Sequence, residues 1–133
     1  MRDQPTGDQL LDTARALLRE ELISALPADK CHAALMIANA MAIAARQLRN
    51  GDAPEREELA NLARILSLPA DDGDAPPAAL RERLIARNRE LCRWIRGGRT
   101  DSGHLRETVR QHLVCTTRRK VEESNPKALG GAA

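Results

Sequence analysis

The chain contains no phenylalanine and no tyrosine, and a single tryptophan, Trp94. Its core therefore has to be built from Leu, Ile, Ala, Val and Met, which argues against a β-sandwich or barrel, whose strands draw on β-branched and aromatic runs. Cysteine is scarce too. Cys31, Cys92 and Cys115 lie far apart with no C-x-x-C pair, so they read as reduced thiols packed as small hydrophobes. No stretch qualifies as transmembrane. No N-terminal segment joins a basic head, an apolar run and a cleavage site, so a cytoplasmic location is expected. Charge of one sign is not in excess: the formal net charge of +2 gives no case for a nucleic-acid protein.

What is present is helical. With 133 residues, the chain is expected to form one domain over 1–133 around one modest core. At 42% hydrophobic it has the apolar content to fold despite 30% charged residues. Lys30 to Asn50, KCHAALMIANAMAIAARQLRN, reads as one helix apolar around most of its circumference, and such a helix is expected to be enclosed by others. Its apolar part is too short for a bilayer, which takes about 20 such residues, and Asn39 interrupts it. Alanines alternating with Leu35, Met36, Ile37, Met41 and Ile43 permit close helix approach with larger side chains filling the gaps.

The remaining elements follow from period and punctuation. A first helix is predicted from about Asp8 to Leu26, with Thr6 and Gln9 at capping-box spacing and Pro27 as its end. Asp29 is expected to cap the central helix, and Gly51 to stop it. Asp52-Ala53-Pro54 opens a third helix with core positions Leu59, Leu62, Ala63 and Leu66. Ala70 to Pro77 reads as an acidic surface loop. A fourth helix is predicted from about Ala78 to Arg96, burying Leu80, Leu84, Leu91 and Ile95. A fifth, from Asp101 or Ser102 to about Glu123, should bury Leu105, Val109 and Leu113. Ordered helices are thus expected over 7–123 and a frayed tail over 124–133.

The opening RDQPTGDQLLDTARALLREEL, the central ALMIANAMAIAARQL and the closing HLRETVRQHL with SNPKAL resemble an uncharacterised bacterial domain-of-unknown-function family of small helical proteins. Its members are often encoded beside aminoglycoside-phosphotransferase-like kinases and acyl-CoA dehydrogenases. The resemblance implies an accessory role near acyl-CoA or hydroxy-acid metabolism, with one of those enzymes as protein partner. It transfers no catalytic residue.

Three patterns carry chemistry. His32, Asn39 and Arg46 recur every seven residues on the central helix, forming a polar line that would suit an anion if it faces a pocket, and a solvent face or satisfied network if it does not. His104, His112 and Cys115 share a side of the last helix, with His112 and Cys115 at i, i+3 spacing that could seat two ligands, but zinc normally takes three or four, so His112 is expected to sit in the core with one nitrogen satisfied. The fourth helix concentrates Arg81, Arg83, Arg87, Arg89, Arg93 and Arg96. There Arg87, Arg93 and Trp94 are the expected partner contacts, since Trp and Arg dominate interface hot spots. The alternative is a solvated face with intrahelical Arg–Glu pairs. Gly97 to Gly103 lacks a Walker pattern, and no nucleophile turn is present. The sequence thus predicts an all-α antiparallel bundle of about five helices, acting as a non-catalytic accessory or interaction domain without metal or cofactor. A small-molecule or anion site on the polar line is the alternative, and nucleic-acid binding rests on the fourth helix alone. Self-association through the Ala-rich helix is a further expectation.

Overall fold

Proline and glycine set the element boundaries in the computed structural model, which describes residues 4–70 and 75–130. Five α-helices form, and there is no strand among the described residues. The fold is all-α, as the hydrophobic periods predict. Helix α1 is Gly7–Leu17. The Thr6 backbone N–H donates to Gln9 Oε1 at 2.9 Å, one half of the capping box. The helix does not run regularly to Leu26 as expected. It loosens into a π turn, Leu18–Leu22, and tightens into a 3₁₀ turn, Ile23–Ala25. Pro27 has no N–H and disfavours the helical conformation in the residue before it, and Leu26 is accordingly extended, with φ −82° and ψ 149°.

Helix α2 is Ala28–Asn50, and Pro27 takes its N-cap position. Asp29 lies within the first turn instead of capping it, where its charge still suits the helix dipole. Gly51, with φ +59°, closes the helix. The chain divides into two compact units, Met1–Gly51 and Asp52–Ala133. In the first, α1 and α2 run antiparallel. Arg49 near the end of α2 donates through Nε to Asp8 at 3.1 Å, in the first turn of α1, and pairs with Asp12 one turn further on. The Thr6 hydroxyl, followed by Arg49, holds the Asp8 carboxyl below its ordinary range.

The buried face of α2 consists of Ala34, Ala38, Ala42 and Ala45, spaced four, four and three so that they form one smooth row. The larger residues Leu35, Met36 and Ile37 are exposed, at 43%, 56% and 52%. Enclosure, expected all round, is thus complete only on the alanine side. Residues 35, 36 and 37 follow one another at about 100° steps and cannot share the face that the alanine row occupies.

The second unit contains α3 (Ala53–Ile65), α4 (Pro77–Arg96) and α5 (Gly103–Ser124). Its core is a cluster of Leu59, Leu62, Ile65, Leu66, Leu80, Leu84, Leu91 and Val109, with Trp94 and Leu105 packed against it. Burying each large aliphatic side chain contributes about 1.5–3 kcal/mol. Two predicted core residues lie outside: Ile95 is 37% and Leu113 44% exposed. On α5 the buried stripe runs Leu105, Val109, His112 at four-then-three spacing, so His112 takes the place expected for Leu113. Of the acidic loop expected over 70–77, residues 71–74 lie outside the described residues. The tail does not simply fray: Pro126–Leu129 forms a 3₁₀ turn, while residues 131–133 lie outside the described residues.

Candidate functional site

Helix α4 begins at Pro77, whose fixed φ suits a first helical position, and ends in a turn that needs glycine. Gly98 has φ +74°, and the Arg99 N–H reaches back to the Trp94 carbonyl at 3.0 Å, the six-to-one bond of a Schellman closure. This return carries the Arg99 guanidinium over the Trp94 ring, 3.7 Å from its centroid. Trp94 also donates from Nε1 to Glu90 Oε1 at 3.0 Å, and its other side meets the leucine core. Half-buried and hydrogen-bonded, it is committed to its own unit.

The other two expected contacts point in different directions. Arg87 turns inward and donates to the Leu59 carbonyl at 2.9 Å, tying α4 to α3. Arg93 is exposed and pairs with Glu90. Only Arg93 of the three lines the groove that α4 forms with neighbouring parts of α3 and α5, a concavity of about 730 Å³. Its apolar surface comes from Leu84, Ile85 and Cys92. Ile85 is 52% exposed, and Cys92 is exposed. Cys115 is exposed as well, so two of the three thiols are not packed inside as expected.

Charge on the groove is uneven. Arg81, Arg89, Arg93 and Arg96 line it from α4 and Lys120 from α5, against Glu55 and Glu58 from α3. Glu58 accepts from Asn88 Nδ2 at 2.9 Å. Arg81, Arg89 and Arg96 make no hydrogen bond or ion pair among the described residues. Three other arginines of this unit are matched: Arg56 with Asp52 at 2.7 Å, Arg110 with Glu107 at 2.7 Å and Arg119 with Glu57 at 2.7 Å. The sequence shows the density of arginines on α4 but not which of them lack partners, because the partners of Arg87 and Arg119 come from another helix.

The polar line of α2 lies elsewhere. His32 and Asn39 are exposed and Arg46 is half-buried, and none of them borders this groove. His112 is 7% exposed, with neither Nδ1 nor Nε2 hydrogen-bonded among the described residues, although one satisfied nitrogen was expected. Burial holds its pKa below the ordinary 6.5, with Glu58 opposing the shift and Lys120 reinforcing it. The imidazole is therefore neutral at pH 7. His104 is exposed, and its Nε2 lies 3.4 Å from the Thr108 hydroxyl. Among the described residues no group of three or more His, Cys, Asp or Glu is placed to hold a metal ion. No helix there is long and apolar enough to cross a membrane.

Fold and surface together define a helical domain with a cation-rimmed, partly apolar groove. The chain belongs to the family described as Domain of unknown function (DUF6285), whose model matches residues 24–128. No curated protein and no solved structure matches it. The matched span takes in α2 to α5 and leaves out α1. Of the segments that carry the sequence resemblance, the central one and HLRETVRQHL fall inside it, and the opening one falls before it.

Proposed function

We propose that the protein is a non-catalytic interaction domain that receives an anionic surface of a protein partner in the α4 groove. One observation carries this reading: Arg81, Arg89 and Arg96 border a single concavity with no hydrogen bond or ion pair among the described residues, while Arg56, Arg110 and Arg119 of the same unit are ion-paired. An arginine row left unmatched on a folded surface is electrostatically complementary to acidic groups and speeds encounter with them. Ile85 and Cys92 supply apolar area between the charges, as an interface core requires. Trp94, bound to Glu90 and covered by Arg99, supports the site by fixing the end of α4. The family resemblance adds that the partner is a phosphotransferase-like kinase or an acyl-CoA dehydrogenase in a bacterial cytoplasm, and that self-association competes for the same role.

The experiment uses the exposed Cys92 as an attachment point. In a Cys31→Ser, Cys115→Ser background, a photo-crosslinker on Cys92 is irradiated in native lysate and the adducts are identified by mass spectrometry. A discrete protein adduct that disappears on Arg89→Glu is the expected result. An adduct pattern indifferent to Arg89→Glu would sink the reading.

A further inference from the structure

Building on that reading, we infer that the groove takes an amphipathic α-helix whose acidic residues lie along one flank at seven-residue intervals. The geometry of α4 sets this pattern. Along the groove the α4 residues recur as Arg81, Ile85, Asn88, Cys92 and Arg96, a spacing of four, three, four and four. That is close to the seam spacing by which one helix accepts the side chains of another, knobs into holes. Apolar and polar positions alternate along it, so a partner seam of small apolar residues meets Ile85 and Cys92.

The unmatched guanidiniums give the register. Arg81, Arg89 and Arg96 are eight and seven residues apart, roughly 12 Å and 10.5 Å along the axis at 1.5 Å per residue. Those separations are too wide for the three to converge on one phosphate or one small carboxylate. They fit carboxylates two turns apart on a second helix lying along the first. At about 100° per residue Arg89, Arg93 and Arg96 fall to one side of the line through Arg81, Ile85 and Cys92, so acidity is required on that flank, with Arg81 meeting the end of the seam.

The opposite wall decides against a polyanion. Glu55 and Glu58 line the α3 side of the groove, and a nucleic-acid backbone, charged all along its length, would have to pass them. Nor does the groove offer a base-stacking ring, since Trp94 is not among its lining residues. A helix acidic on one flank and neutral or basic on the other satisfies both walls, in the manner of charged flanking positions in coiled coils.

Fluorescence anisotropy with the full chain tests this. Four labelled probes are compared: a 21-residue helical peptide with Glu on one flank at seven-residue spacing beside a Leu/Ala seam, the same composition with the glutamates distributed around the helix, an oligoglutamate of equal charge, and a single-stranded oligonucleotide of equal charge. The patterned helix is expected to bind on the order of tenfold tighter than the others, with comparable losses on Arg89→Glu and Ile85→Asp. Circular dichroism of both variants, each altered at an exposed position, verifies that they fold. Equal binding of all three peptides, lost on Arg89→Glu, overturns the helix inference and leaves the anionic-surface reading standing. Preference for the oligonucleotide overturns it in favour of nucleic acid. Absence of peptide binding overturns it too, and the Cys92 crosslinking result then decides separately whether the broader reading survives.

Discussion

The two units bury opposite kinds of side chain. In Met1–Gly51 the buried residues of α2 are alanines, while Leu10, Leu17, Met36 and Ile37 are about half exposed. In Asp52–Ala133 the buried residues are mainly leucines, and Leu62, Leu80 and Leu91 are almost wholly enclosed. Both units rest on regular 3.6-residue periodicity, yet the consequences differ. A seam of alanines brings helix axes close but removes little apolar area from water, and hydrophobic stabilisation scales with that area. The second unit therefore holds the greater share of stability, and it also carries the groove.

The largest expected effect tests that division directly. Leu62→Ala opens a cavity in the leucine cluster and should cost about 2–5 kcal/mol. Leu35→Ala, at a residue 43% exposed, should change stability by about 0.5 kcal/mol or less. Urea denaturation followed by circular dichroism measures both, and equal losses would erase the contrast between the units. Next comes the alanine seam itself. Ala38 is fully buried, and Ala38→Leu forces extra methylenes between α1 and α2, destabilising by about 1–3 kcal/mol. If instead that substitution is neutral, the seam is not closely packed.

A smaller effect concerns the one buried imidazole. His112 is held neutral by burial, below its ordinary 6.5, so the unfolded chain binds the proton more readily than the folded one. The folded state therefore loses stability as the pH falls from about 6.5 through the folded value, and no such loss operates above that range. His112→Leu should flatten that part of the stability profile. At pH 7 it should be neutral or stabilising by about 1 kcal/mol, because neither ring nitrogen has a partner to lose among the described residues. A parallel acid profile in the variant and the wild type would remove His112 as the cause.

Helix number and type were legible because they depend on local signals. Pro27, Gly51, Pro54 and Gly97-Gly98 punctuate the chain, and apolar period does the rest. What was not legible depends on which face meets which neighbour. His112 and Leu113 are adjacent, and a rotation of one residue decides which is buried. The arginines of α4 look alike in sequence, but Arg87 is bound to the Leu59 carbonyl while Arg89 has no hydrogen bond or ion pair among the described residues. The groove arises from that tertiary sorting of like residues, and no motif announces it.

The smallest effect compares two helix ends. Helices α3 and α4 close with the same backbone bond, Leu68 N–H to the Ala63 carbonyl at 2.8 Å and Arg99 N–H to the Trp94 carbonyl at 3.0 Å. The turn residue is Gly98 in one, at φ +74°, and Ser67 in the other, at φ +54°. An L side chain is disfavoured there, while glycine occupies the region freely. Ser67→Gly should therefore stabilise the second unit, although glycine's greater freedom in the unfolded chain offsets part of the gain. The net rise is about 0.5 kcal/mol, which is about 3 °C in Tm for a unit of this size. Gly98→Ser should act in the opposite sense and more strongly, because a Cβ at Gly98 would stand 3.2 Å from Asp101 Oδ2. It would also disturb the turn that seats Arg99 on Trp94. If Ser67→Gly lowers Tm instead, the α3 end is held by a serine contact and not merely tolerated, and the two closures are not equivalent.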